Sequence, residues 1–206
     1  MSVIREEESR IQSQIPPQYI VAPKKAIEEY ITLDAEDESL VRWKKSLGLN
    51  VDNYNGVNSI GDPTDKRKLV VVHIKVAVEG RDPVFLNTEN ESEIKNFGKN
   101  PVAAIEHAKF KITIRFRIQH EILTGLRYYQ TAKRGGITMS KTDHTLGAYP
   151  PNTPDKPYYE VSLPEGEAPG GLLARGSYSC STTFYDDDKV SHLTIPWKLM
   201  IVKREK

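Results

Sequence analysis

The side chains that could do chemistry in this 206-residue chain are five histidines, one cysteine and a run of three aspartates. His73, His107, His120, His144 and His192 form no metal pair such as H-E-x-x-H. Asp186-Asp187-Asp188 has the charge to hold a divalent cation, and a solvated turn between two strands accounts for the run equally well. Cys180 stands on an alternating stretch and reads as a buried core thiol. Gly135-Gly136 and Gly170-Gly171 lack the context of a phosphate loop. No active site, metal or cofactor is expected from these residues. Binding remains. Val76, Phe116, Tyr128, Ile195, Trp197 and Leu199 are bulky residues on expected strands. They are either an ordinary sandwich core or the wall of an apolar ligand site, and pattern alone leaves both open.

The elements that would position these residues change character along the chain. Residues 1–23 are polar, with Pro16, Pro17 and Pro23, and read as largely disordered. A short helix is expected over 24–33, with Ile27, Tyr30 and Ile31 on one side. A second is expected over 35–47. Asp34 is its expected N-cap, acidic side chains fill its first turn, Arg42, Lys44 and Lys45 fill its last, and Gly48 follows. Leu40, Trp43 and Leu47 share one face of it, and a helix this short needs a partner for that face. Residues 50–67, rich in Asn, Gly and Asp, read as a linker.

From Lys68 the period becomes two. In Lys109–Ile118, Phe110, Ile112, Ile114, Phe116 and Ile118 alternate with polar residues, the mark of a half-buried strand. Further strands are expected over 69–78, 121–132 and 158–163, with a turn at Gly135-Gly136. Two more run through Tyr178–Phe184 and Leu193–Ile201. Pro196 argues that the last lies at a sheet edge. The expected fold is all-β: an immunoglobulin-like β-sandwich over 68–204, preceded by a flexible arm over 1–67 carrying two short helices.

The net charge of +1 hides an asymmetry. Residues 1–65 hold 7 Lys/Arg against 12 Asp/Glu, and the remainder hold 22 against 16. An acidic arm and a basic body attract each other or a matching surface elsewhere. No dense basic stripe appears, so nucleic acid is not an expected partner. No apolar run is long enough for a membrane span, the N-terminus lacks a secretory h-region, and no prenylation or myristoylation signal is present. With one cysteine there is no intrachain disulfide, and a cytoplasmic location is expected.

Several blocks occur together in a telling order. They are Leu33-Asp34 with Asp37-Glu38-Ser39-Leu40, Gly125-Leu126-Arg127-Tyr128, Lys141-Thr142-Asp143 and Glu167-Ala168-Pro169. Then come Leu173-Ala174-Arg175-Gly176-Ser177-Tyr178-Ser179, Asp186-Asp187-Asp188-Lys189 and His192-Leu193. In this order and spacing the chain resembles the Rho GDP-dissociation inhibitors over nearly all of residues 19–204, most closely the fungal ones. The resemblance implies binding of GDP-bound, prenylated Rho-family GTPases as a monomer in a 1:1 complex. It implies no catalysis and no cofactor. Val76, Phe116, Tyr128, Cys180, Ile195, Trp197 and Leu199 would line a geranylgeranyl pocket. Asp37, Ser39, Leu40 and Trp43 would meet the GTPase switch regions and block GDP release. Asp143, Glu167, Asp186, Asp187 and Asp188 would contact the GTPase and its polybasic tail, supporting extraction from membranes. One departure is visible: animal members carry two tryptophans where this chain has Ile195 and Trp197. A general carrier of prenylated cargo, without nucleotide control, is the alternative.

Overall fold

The alternating stretch Lys109–Ile118 becomes a central strand, because only one of its two faces can be buried. The computed structural model describes residues 36–46 and 64–204. The helix expected over 24–33, Asp34 and Gly48 lie outside them. Helix α1 spans Glu38–Ser46 and begins after Glu36 and Asp37, which the expected 35–47 included; Ala35 and Leu47 lie outside the described residues. The strands are β1 (Leu69–Val78), β2 (Val84–Asn87), β3 (Val102–Ile105), β4 (Lys109–Ile118) and β5 (Leu123–Arg134). There follow β6 (Ile137–Tyr149), β7 (Tyr159–Ser162), β8 (Gly166–Glu167), β9 (Gly176–Tyr185) and β10 (Ser191–Val202). A single helical turn, α2 (Glu91–Ile94), follows β2.

These strands form two five-stranded sheets. One has the order β2-β1-β4-β7, with β8 also on β4; the other has the order β3-β10-β9-β5-β6. Every pairing is antiparallel except β3 with β10. This is the all-β sandwich that the alternation predicts. The Gly135-Gly136 turn joins β5 to β6, with both glycines at positive φ.

One expectation needs correction. Strand β10 is not an edge strand, since it lies between β3 and β9. Pro196 is tolerated because β3 pairs only with Leu199–Val202, so one side of β10 at Pro196 has no neighbour needing its N–H. Strand β6 escapes sequence reading because Ser140–Thr145 is almost wholly polar, as suits a strand at the sheet edge.

The inner face of the second sheet is layered by register. Tyr128 and Phe184 form one layer, Gln130, Thr182 and Ile195 the next, and Ala132, Cys180 and Trp197 the third. In the first layer the Tyr128 and Phe184 rings meet edge to face at 5.7 Å. Across from them Phe116 packs on Tyr149 and Tyr159. Large side chains fill this end completely. In the third layer Ala132 and Cys180 replace aromatic rings, and the sheets are no longer filled between.

The start of β1 is tied down where the N-terminal segment joins the sandwich. Asp65 takes two N–H bonds from the Arg67 guanidinium onto its carboxylate, and Gln119 donates to the Arg67 carbonyl at 2.9 Å. The Arg67 guanidinium holds the Asp65 carboxyl far below the usual carboxylate range. This junction lies at the end of β1 opposite Val78.

Candidate functional site

Where the layers thin, a cavity of about 540 Å³ opens between the sheets at one end of the sandwich. That volume falls within the range of small-molecule sites. Its first wall is Val76 and Val78 of β1 with Phe110 and Ile112 of β4. Its second is Ala132 of β5, Tyr178 of β9 and Trp197, Leu199 and Ile201 of β10, with Ala104 of β3 at the side. Alternation explains the wall: residues 197, 199 and 201 are two apart and share one face. Small residues explain the void, because Ala104, Ala132, Ala168 and Ala174 stand where larger side chains would close it.

A short chain of polar groups holds the floor. The Trp197 indole N–H donates to Thr182 Oγ1 at 3.0 Å. Thr182 in turn donates to Gln130 Oε1, which also accepts from the Tyr128 hydroxyl. Each buried polar group therefore has a partner, and the indole plane is fixed against the cavity. Burial pushes the Cys180 thiol up to about 12, so it stays protonated and inert.

The mouth is framed by a loop, residues 168–175, that is tied at several points. Buried Glu106 accepts from the Gly171 N–H at 3.1 Å and from the Arg175 guanidinium at 2.9 and 2.8 Å. The Tyr178 hydroxyl donates to the Ala174 carbonyl at 2.6 Å, and Arg134 donates to the Leu173 carbonyl. A side chain at Gly170 would meet the His107 ring, which would have to move aside. The Arg175 guanidinium holds the Glu106 carboxyl down to about 2, against an ordinary value of 4.5. The folded value is the lower one. The clamp therefore contributes fully above about pH 4.5 and is lost as pH falls toward 2. Acid titration of the melting temperature is expected to show a decline in that window. Glu106→Gln should shrink the decline and speed amide exchange at Gly171. An identical acid profile in the variant would mean the clamp carries no stability.

Sequence-derived pocket residues divide into two groups. Val76, Trp197 and Leu199 line the cavity. Phe116, Tyr128 and Ile195 are fully buried in the filled layers below it. Cys180 is buried between its register partners Ala132 and Trp197, and only those two reach the cavity. The cavity residues that sequence reading did not single out include Val78, Phe110, Ile112, Tyr178 and Ile201. Alternation marked the face of each, but not its level along the strand.

The acidic candidates lie in three places rather than one. Glu167 is at the mouth, 3.2 Å from His107 Nδ1. Asp143 on β6 is engaged by Arg127 at 3.0 Å and by the Tyr185 hydroxyl at 3.1 Å. The three consecutive aspartates occupy the β9–β10 turn, about 30 Å away along β9. Asp186 is a correction: it is buried, and its oxygens accept from the Val190 N–H at 3.0 Å and face His192 Nε2 at 2.9 Å. A carboxylate so occupied holds the turn and cannot meet a partner. Asp187 is exposed, with its carboxylate laid over Gly125, where any side chain would collide with it.

In α1 the cap is Asp37, not the expected Asp34. Asp37 Oδ1 accepts from the Ser39 N–H at 2.8 Å, the Leu40 N–H at 3.3 Å and the Ser39 hydroxyl at 2.6 Å. These bonds, the hydroxyl first, lower its carboxyl pKa. Oδ2 carries none of them, and the residue is exposed. Leu40 is half-buried, and the Trp43 side chain lies outside the described residues.

A family model described as RHO protein GDP dissociation inhibitor matches residues 4–204. A Rho GDP-dissociation inhibitor of Saccharomyces cerevisiae is 49% identical over 188 residues, 91% of each chain. One from Schizosaccharomyces pombe is 40% identical over 187 residues, covering 91% of this chain and 87% of its own. Rho GDP-dissociation inhibitor 1 of Homo sapiens is 36% identical over 180 residues, covering 87% and 83%.

Proposed function

The chain belongs to the Rho GDP-dissociation inhibitor family, and from that premise we propose that it sequesters the geranylgeranyl tail of GDP-bound Rho-type GTPases in its cavity. The observation that carries this is the apolar cavity open at one end of the sandwich, with Val76, Trp197 and Leu199 on its walls. A twenty-carbon tail fully buried at about 0.8 kcal/mol per CH₂ gains on the order of 16 kcal/mol. A bilayer offers a similar gain, so extraction into the cytoplasm is a balanced exchange that protein contacts must tip.

Two sets of contacts suit that task. Glu167 at the mouth stands where a polybasic tail must lie when its prenyl cysteine enters the cavity. The N-terminal segment leaves from the opposite end of the sandwich. Residues 47–64 can span about 60 Å when extended, against about 33 Å for β1, so α1 reaches a GTPase held at either end. There Asp37, Ser39, Leu40 and Trp43 would hold the switch regions in their GDP conformation, which is inhibition by selecting a state rather than by chemistry.

The deciding experiment is titration of the full chain with a geranylgeranylated Rho C-terminal peptide and its unmodified counterpart. Saturable 1:1 binding of the prenylated peptide alone is expected, and equal binding of both would remove the cavity from the mechanism. Asp187→Asn with Asp188→Asn is expected to slow association with a prenylated GTPase a few-fold at low salt, with little change in dissociation. An unchanged association rate would leave these aspartates as a turn only. Asp186 is left intact because its loss would unseat the turn itself.

A further inference from the structure

Four of the large apolar side chains left most exposed sit together at the cavity mouth. Ile137 and Met139, 70% and 55% exposed, start β6; Leu172 and Leu173, 79% and 88% exposed, are on the framing loop. Arg134 joins the two segments by its bond to the Leu173 carbonyl. Neither segment is loose. Beside the leucines, Gly171 and Arg175 are clamped to Glu106 and Ala174 to Tyr178, so the turn holds both side chains out in solvent. A β-bulge does the same on β6. Ala132 pairs with Ser140 and Lys133 with Thr138, which leaves Met139 unpaired and turned to the mouth.

The two segments that carry these side chains are basic, while the acid at the mouth, Glu167, stands 3.2 Å from His107 Nδ1. Residues 131–142 and 168–176 contain Lys133, Arg134, Lys141 and Arg175 and no aspartate or glutamate. In a chain with nearly equal numbers of acids and bases, two apolar rim segments whose own charged residues are all basic are a specific arrangement. Apolar side chains that insert between lipids, flanked by cations that meet headgroups, are what binds a protein to an anionic bilayer surface.

We infer that this rim is a membrane-docking edge: Ile137, Met139, Leu172 and Leu173 insert into the headgroup region of an anionic bilayer, with Lys133 and Lys141 on its phosphates. The inference rests on the proposed tail-binding function and adds to it. With the mouth pressed against the bilayer, a prenyl chain passes between membrane and cavity without crossing water. Docking is a property of the chain alone and needs no GTPase. The opposite end, with Asp187 and the N-terminal junction, then faces away from the membrane.

The test uses the full chain and vesicles of phosphatidylcholine with or without phosphatidylserine. Flotation should show binding to the anionic vesicles that weakens with salt, and little to the neutral ones. Ile137→Ser with Leu172→Ser changes two exposed side chains that do not line the cavity. The pair should reduce anionic-vesicle binding about tenfold and slow extraction of a prenylated GTPase from those vesicles. Affinity for the soluble geranylgeranylated peptide should be unchanged. Lys133→Gln with Lys141→Gln should flatten the salt dependence. Absence of vesicle binding by the unmodified chain would overturn the inference while leaving tail capture standing. It would also be overturned if the serine variant lost peptide affinity in parallel, which would make the rim part of the protein interface. Loss of a self-associated species in that variant would assign the rim to a second copy and overturn it as well. Failure of peptide binding by the unmodified chain, with vesicle binding intact, would instead remove the tail-binding reading.

Discussion

Trp197→Asp is expected to lower affinity for a geranylgeranylated peptide by more than about a hundredfold, because an unpaired carboxylate in an apolar cavity opposes lipid entry. The fold should survive. The cavity is empty of side chains and opens to solvent at the mouth, so the new carboxylate can be hydrated when no tail is bound. What is lost locally is the indole wall and its bond to Thr182. A second substitution separates pocket from core. Ala132→Phe adds bulk to the same wall two strands away, in space already vacant, so melting temperature should hold or rise while peptide affinity falls steeply. Peptide titration and thermal melts of both variants make the check. Undiminished binding by Ala132→Phe would place the tail elsewhere, and a Trp197→Asp chain that cannot fold would make Trp197 simple core.

That pair of substitutions also marks what could be read from sequence. Strands β1 and β4 coincide with the expected 69–78 and 109–118 because alternation over ten residues has only one buried register. The two-layer all-β architecture follows from such strands separated by turn residues. Alternation reports a face, however, and never a level. Phe116 and Trp197 are equally inward-facing, yet one is packed by Tyr149 and Tyr159 while the other faces a void. The void depends on Ala104, Ala132, Ala168 and Ala174 meeting across different elements, a long-range coincidence with no local signal. Strand β6 was hidden because its partner requirement is backbone pairing, which polar side chains do not reveal. The three aspartates look equivalent in sequence. The hairpin turn distinguishes them by burying Asp186 against His192 and leaving Asp187 outside.

The structure of the α1 cap sharpens the largest expected effect on nucleotide control. Asp37→Ala with Ser39→Ala should weaken inhibition of GDP release from a prenylated Rho-family GTPase while leaving capture of the prenylated peptide unchanged. The cavity is untouched, since neither residue lines it. Yet Asp37 caps the helix, so its loss to alanine both frays α1 and removes a contact. Asp37→Asn resolves the two. Asparagine caps about as well as aspartate but carries no charge, so it keeps the helix start and loses only the ionic contact. If Oδ2 meets charged or polar switch atoms, Asp37→Asn alone should weaken inhibition by about tenfold, and Ser39→Ala should add to it. If α1 matters only as a helix, Asp37→Asn should behave as the unmodified chain and Asp37→Ala should not. Nucleotide release and peptide binding are measured on the same preparations. Normal inhibition of release by the Asp37→Ala, Ser39→Ala chain would show that this segment is not the element that blocks the switch. Parallel loss of peptide binding would show that the segment acts on the sandwich rather than on the GTPase.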